Sequence, residues 1–401
     1  MRILMATLGY LPAVAWGGPV KIVRQNAAEL QRRGHEVVVI ASNLLDKQHR
    51  LSKGNSEALV DGISVNYLDT RNVPSWRGTL GPTWLIPSAR RQLVNLVAWS
   101  DIVHVNGSRN AVVMAAMKSA IQLNKPLVLQ PHGTLQYIEN SVFYKRMFDK
   151  LLFGKNLAGV DGFIAAQDHE RKQLTTMGAA NDRIHVVANG IDAPPGGNAY
   201  QRPGILRTRY SIAADEQIVL FLGRINHKKG TDLLVKAYAQ LPERIREHSY
   251  LIIAGPDDGQ LDEVLTLVNA HGLQQRAIFT GLLNDEEVWS AYADTDLFVL
   301  PCRTDTFPMA IVEACAANVP MVLTDTCEIA DMFREKAATV IPVEIQKIAE
   351  GIEQLLENEC LRQQYRVGMA EIMRNHLSIE VIGDALEAVY SDASERHHSA
   401  V

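Results

Sequence analysis

Four side chains in the second half of the chain have the types and spacing to hold a sugar attached to a diphosphate. Arg224 and Lys229 stand five residues apart in Gly223-Arg224-Ile225-Asn226-His227-Lys228-Lys229-Gly230. In one loop, an arginine fork and a lysine point charge can converge on a single diphosphate. Asp305 and Glu313 have seven residues between them in the stretch 302–320. With one carboxylate in a loop and the other on a helix, the two can face one polyhydroxylated ligand, each accepting hydroxyl hydrogen bonds. The amides around Phe307, Met309, Ala310 and Ile311 fall at a helix start, where N–H groups and the helix dipole favour phosphate. Pro308 in the same stretch has no N–H. A buried strand, loop and helix in which Asp305 is only a cap would use the same residues.

The elements around these residues read as strands and helices in alternation. The apolar run 218–222 is a strand feeding the Arg224 loop, and a helix follows from Thr231. The run 296–301 reads as a buried parallel strand, with a helix over 309–317 after the Asp305 loop. Runs 250–255 and 277–281 are two more strands, with Gly255 and Gly281 at carboxyl ends that would lie near a nucleotide. In the first half, strands over 2–8 and 37–41 flank Gly17-Gly18-Pro19 and an amphipathic helix with Val20, Val23, Ala27 and Leu30 on its apolar stripe. Pro19 suits a first helical position, and the glycine pair lets backbone approach a ligand or simply makes a tight turn. This order is Rossmann-like without the G-x-G-x-x-G fingerprint. Stretches 101–107 and 126–134 also run from strand to polar, glycine-containing loop, where open α/β sheets place ligands. His132, before Gly133, is therefore a candidate contact or a turn cap, and His104 reads as a packed strand residue. Asp294-Thr295-Asp296 has the look of a metal-binding pair, but it joins a helix to a strand, and no metal or other cofactor is expected.

The 401 residues are too many for one typical α/β domain. The expected organisation is a first domain over 1–192, a linker over 193–215, a second domain over 216–377, and a helix and tail over 378–401. The best boundary is the Pro- and Gly-rich 193–204. The opening residues read as a strand rather than a signal peptide, and no apolar run is long enough for a membrane span, which points to a cytoplasmic protein. The four cysteines, Cys302, Cys315, Cys327 and Cys360, lack paired zinc-like spacing and are expected to be core or reduced thiols. Residues 1–190 hold 22 Lys and Arg against 13 Asp and Glu, and the remainder 18 against 32. A front half at +9 and a back half at −14 imply an anionic partner or surface for the first. The basic residues are scattered and no nucleic-acid motif accompanies them. Trp76, Trp84 and Trp99 among Arg71, Arg77, Arg90 and Arg91, and the aromatic and basic segment 137–155, could instead meet lipid headgroups of an anionic membrane, or be amphipathic elements with solvated charges.

In these motifs the chain resembles the retaining, nucleotide-sugar-dependent glycosyltransferases of family 4, in order and over nearly its whole length. That family's Gly-Arg, four residues, Lys-Gly falls on Gly223-Arg224 and Lys229-Gly230. Its Glu, seven residues, Glu-Ala, with Pro-Val beyond, falls on Asp305, Glu313-Ala314 and Pro320-Met321. The resemblance implies the GT-B fold, two doubly wound α/β domains facing a cleft, with the last helix crossing back to the first domain. It implies that Arg224 and Lys229 neutralise a leaving UDP or GDP, that Asp305 holds sugar hydroxyls and Glu313 the ribose, and that His132 faces the transferred sugar. It also places the Gly17-Gly18 loop near the acceptor and donor phosphate. The reaction implied is transfer of a hexose-type sugar, with retention, to a hydroxyl of a glycan or lipid-linked acceptor. Two departures stand out: Asp305 is one methylene shorter than the family's Glu, and Pro308 replaces a common Gly. A nucleotide-sugar 2-epimerase and a non-catalytic sugar-nucleotide sensor are the alternatives.

Overall fold

The computed structural model describes residues 1–46, 48–52, 55–72, 83–135, 149, 153–192 and 205–399. The Pro- and Gly-rich 193–204, Trp76 and Arg77, and nearly all of the aromatic and basic 137–152 lie outside the described residues. The chain divides into two compact units, Met1–Gly190 with Ile379–Val401, and Ile191–Ser378. No helix among the described residues is long and apolar enough to cross a membrane.

The first unit is built on β1 (Arg2–Thr7), β2 (Glu36–Ser42), β3 (Ser56–Val60), β4 (Ile63–Leu68), β7 (Ile102–Asn106), β8 (Leu127–Gln130), β9 (Gly162–Ala165) and β10 (Ile184–Val186). The short β5 (Thr70–Asn72) and β6 (Thr83–Leu85) pair as a separate ribbon. The sheet order is β10-β9-β8-β7-β1-β2-β4-β3, with all neighbours parallel except the β3–β4 hairpin at one edge. Strands such as β2, EVVVIAS, are buried on both faces, so helices must cover both and the strands read as continuous apolar runs. On one face the helix Gly18–Arg32 lays down Val23, Ala27 and Leu30, joined by the C-terminal helix Ile379–Ser399 through Ile382, Leu386, Val389 and Tyr390. That last helix runs to Ser399, six residues past its last core residue, Ala393. Its polar extension is held by an Asp392–Arg396 pair within the helix and by Arg396 reaching Asp182 at 2.7 Å. Arg33 ties the two helices together, donating to Asp384 at 2.6 Å, Glu387 at 2.8 Å and the Glu380 carbonyl at 2.6 Å.

The second unit holds β11 (Gln217–Leu222), β12 (Ser249–Ala254), β13 (Ala277–Gly281), β14 (Leu297–Leu300), β15 (Met321–Thr324) and β16 (Ala338–Ile341). All are parallel, in the order β13-β12-β11-β14-β15-β16. Numbered from β11, this is 3-2-1-4-5-6, the doubly wound Rossmann order. Successive crossovers leave in opposite directions from β11 and β14, and the crevice at their carboxyl ends is where such sheets bind ligands. The Arg224 loop follows β11 and the Asp305 loop follows β14, so topology alone brings the two sequence motifs to one place.

Candidate active site

The β11 loop turns at Gly223 beneath its neighbour. Gly255 closes β12 at φ 142°, and a Cβ there would run into the Gly223 carbonyl oxygen. The two loops then zip together, Gly223 N donating to Ala254 O at 2.9 Å, Ile225 N to Pro256 O at 2.9 Å and Asp258 N to Ile225 O at 3.0 Å. Asn226 caps a single turn, His227–Lys229, its Oδ1 accepting from Lys229 N at 3.1 Å. Gly230 enters the left-handed region at φ 71° before the helix Thr231–Ala239, and a Cβ there would strike the Pro301 carbonyl oxygen. Lys229 folds back over Gly223, and its ammonium lies 2.5 Å from Asp305 Oδ2. Arg224 is half exposed, with Nη1 2.9 Å from Asp258 Oδ2, which also accepts from Asn226 Nδ2 at 2.8 Å.

The β14 loop is locked to the β11 loop by an arginine fork. Arg303 donates to both oxygens of the buried Asp232, at 2.8 and 2.7 Å, and its backbone N–H to Lys228 O at 2.7 Å. Burial would raise the Asp232 carboxyl, but the hydrogen bonds and charge of Arg303 outweigh it and hold the group below its ordinary value. Asp305 Oδ1 accepts from Phe307 N at 3.2 Å while its other oxygen meets Lys229. Asp305 thus braces its own loop and pairs with Lys229, but it does not cap the helix that follows. Pro308 is the N-cap of the helix Met309–Ala316, and Ile311 N turns back to Pro308 O at 3.1 Å. Phe307 and Ile311 have therefore spent their amides, and the first-turn amides of Met309 and Ala310 are those that a helix leaves for a phosphate. Glu313, one turn further, is buried, with the Tyr292 hydroxyl 3.2 Å from its Oε2 and 3.0 Å from Ala310 O. Burial first, then the neighbouring Glu313, push the Tyr292 hydroxyl far up.

The Asp294 and Asp296 carboxylates have structural work. Asp294 accepts from Leu206 N at 2.8 Å, at the start of the helix Ile205–Tyr210, and Asp296 accepts from Ile218 N at 2.8 Å and pairs with Arg207. One expectation needs correction. Cys302 and Cys327, read from spacing as unpaired thiols, are joined, with Cα atoms 6.4 Å apart. Their 25-residue separation shows no pattern in the sequence; they meet because each lies just past the end of one of the adjacent strands β14 and β15. Cys315 and Cys360 are unpaired.

The remaining expected residues belong to the first unit. Gly17 caps the helix Gly18–Arg32 at φ 70°, where no neighbouring atom crowds it. His132 and Gly133 follow β8 with φ of 55° and 73°, and a histidine in the left-handed region is an outlier of the kind found at functional positions. Its Nε2 lies 2.9 Å from Asn106 Oδ1, and its buried Nδ1 has no hydrogen-bond partner among the described residues. Burial holds the ring below its usual pKa. With Nε2 donating to the amide oxygen, Nδ1 is left as an acceptor. The turn is pinned from below by buried Glu170, whose oxygens accept from Gly133 N at 2.6 Å and Ala166 N at 2.8 Å. His104 is fully buried in β7, its Nδ1 2.8 Å from the hydroxyl of Tyr390. Sequence reasoning missed Asp258, Asp232, Arg303, Tyr292, Asn106 and Glu170. Only Asp258, in an acidic pair just past the end of β12, and Asn106, at the end of β7, carried a local signal.

Two Rossmann-like units, one with cations and carboxylates gathered at its switch point, define a glycosyltransferase of the GT-B class. Residues 16–193 match Glycosyltransferase Family 4, and residues 205–371 match Glycosyl transferases group 1. The chain belongs to the family 4 glycosyltransferases. It is 32% identical over 325 residues to the D-inositol 3-phosphate glycosyltransferase of Mycobacteroides abscessus, covering 76% of this chain and 69% of that protein. It is 25% identical over 332 residues to the alpha-D-kanosaminyltransferase of Streptomyces kanamyceticus, covering 80% and 83%. Among solved structures, Anabaena HepE in complex with UDP and glucose has a TM-score of 0.71 at 18% identity, covering 98% of this chain and 99% of that one. Sucrose-phosphate synthase from Thermosynechococcus elongatus has a TM-score of 0.73 at 18% identity, covering 98% of each chain. At that identity the likeness is one of fold.

Proposed function

We propose that the protein transfers a hexose-type sugar from UDP or GDP to an acceptor hydroxyl, with retention at the anomeric carbon. The observation that carries this reading is the 2.5 Å contact between Lys229 Nζ and Asp305 Oδ2 at the β11/β14 switch point. A cation suited to the diphosphate and a carboxylate suited to sugar hydroxyls meet at one spot, where the sugar–phosphate bond would lie. Arg224 and Lys229 would stabilise the charge developing on the leaving diphosphate, so that no metal is required. Asp305 would accept from sugar hydroxyls, Glu313 would serve the ribose, and the amides of Met309 and Ala310 would meet phosphate. In the first unit, Gly17, Gly18 and His132 would serve the acceptor and the transferred sugar. No second carboxylate is assigned as a nucleophile, so attack comes from the front face. The acceptor oxygen bonds to the anomeric carbon as the sugar–phosphate bond breaks, the electron pair leaves with the nucleoside diphosphate, and the acceptor proton passes to the departing phosphate oxygen.

The UDP and glucose bound to HepE make UDP-sugars the first donors to try. The relative named a D-inositol 3-phosphate glycosyltransferase makes a small phosphorylated polyol an acceptor to try beside glycans and glycolipids. The test is to incubate the protein with UDP- and GDP-hexoses, with and without an acceptor panel and EDTA, and to follow nucleoside diphosphate release and the configuration of the product by NMR. Acceptor-dependent release that survives EDTA and gives a retained linkage is expected. An epimerised donor without acceptor would assign the chain to the 2-epimerases instead, and inversion or loss of turnover in EDTA would refute the corresponding part of the reading.

A further inference from the structure

Arg224, the more exposed of the two cations assigned to the diphosphate, already has an anion. Its Nη1 is 2.9 Å from Asp258 Oδ2, and Asp258 is not a casual surface partner. Its own N–H donates to Ile225 O at 3.0 Å, and Asn226 Nδ2 holds the same carboxylate oxygen at 2.8 Å. The residue before it, Asp257, gathers three backbone N–H groups, of Gly259, Gln260 and Leu261, on its Oδ1 at 2.8 to 3.1 Å. Because Gly255 and Gly223 pass backbone to backbone, the β12 loop cannot drift from the β11 loop. The carboxylate is therefore built into position over the guanidinium. Lys229 is likewise held by Asp305, but Asp305 has a sugar to bind, whereas nothing in the proposed reaction uses Asp258.

We propose that Asp258 is a resident counter-ion that Arg224 exchanges for the diphosphate, so that it sets nucleotide affinity and takes the guanidinium back as the product leaves. This rests on the assignment of Arg224 to the diphosphate. With Asp258 fixed by Asn226 and the loop backbone, the flexible partner in the exchange is Arg224. An ion pair this exposed is worth up to about 1 kcal/mol, so removing the competitor tightens diphosphate binding by about three- to fivefold. The effect is confined to ligands carrying the diphosphate.

Calorimetric titration of UDP, GDP and uridine into the wild type, Asp258→Asn, Asp258→Ser, Arg224→Ala and the Arg224→Ala/Asp258→Asn double variant tests it. Both Asp258 variants are expected to bind the nucleoside diphosphate about three- to fivefold more tightly, with uridine unchanged, and to be more strongly inhibited by product. In the Arg224→Ala background the Asp258→Asn change is expected to be silent, because there is no guanidinium left to release. Equal tightening in both backgrounds would overturn the exchange and leave only general repulsion. Weaker binding in the Asp258 variants would overturn it as well, since Asp258 would then be holding Arg224 in its binding pose. If the wild type binds neither UDP nor GDP, the assignment of Arg224 falls first and this inference with it.

Discussion

Asp305 and Glu313 share one motif but have different surroundings. Asp305 sits partly exposed in the loop, paired with Lys229, while Glu313 is buried on the helix beside Tyr292. The two substitutions should therefore separate. Asp305→Asn keeps the size and loses the charge, so transfer should drop by about tenfold or more, as expected for a hydrogen bond to a charged group. Nucleoside diphosphate affinity should be undiminished, because what Lys229 loses is a competitor. Glu313→Gln should weaken both, since donor and product share the ribose. Steady-state rates and product binding on the two variants check this; equal losses of nucleotide affinity would end the proposed division of labour. At this scale the sequence was informative where function needs a residue type at a fixed spacing, as with Arg224, Lys229, Asp305 and Glu313. It was silent about the residues that aim them. Asp232 and Arg303 are 71 positions apart and become one bidentate pair only because β11 and β14 are adjacent in the sheet.

Among the elements, β7 and the C-terminal helix meet at His104 and Tyr390, inside the first unit's core. Burial, and secondarily His132, push the His104 pKa down to about 3. Unfolded, the same ring titrates near ~6.5. Below that value the unfolded chain takes up a proton that the folded one refuses, so stability is fully present above pH ~6.5 and falls as pH drops towards 3. The slope is one proton, about 1.4 kcal/mol per pH unit. Denaturant unfolding at pH 7, 6 and 5 should show a curve flatter by one proton in His104→Gln than in the wild type; parallel curves would contradict the assignment. The strands that carry the site loops were legible from hydrophobic runs and glycine turns, because parallel strands buried on both faces are mostly apolar, whereas β4, β9, β15 and β16 were not singled out. The end of the last helix was not legible either, since past Ala393 it carries no core residue, and Asp392 and Arg396 also pair with His185 and Asp182, which are remote in sequence.

For the molecule as a whole, two Rossmann-like units explain why the chain is long and why the chemistry-bearing loops fall at the carboxyl ends of strands. To bind an anion as proposed, an acidic second unit needs a few placed cations, and the topology delivers Arg224 and Lys229 to the switch point. The central claim is therefore that these two side chains hold a nucleoside diphosphate. The measurement that tests it most directly is the dissociation constant of UDP, and of GDP, for the wild type, Arg224→Ala and Lys229→Ala. A hydrogen bond to a charged group contributes about 1.5–3 kcal/mol, so the wild type should bind one of the two nucleotides and each variant should lose about tenfold or more. Wild-type affinity in both variants, or no binding of either nucleotide by the wild type, would contradict the account.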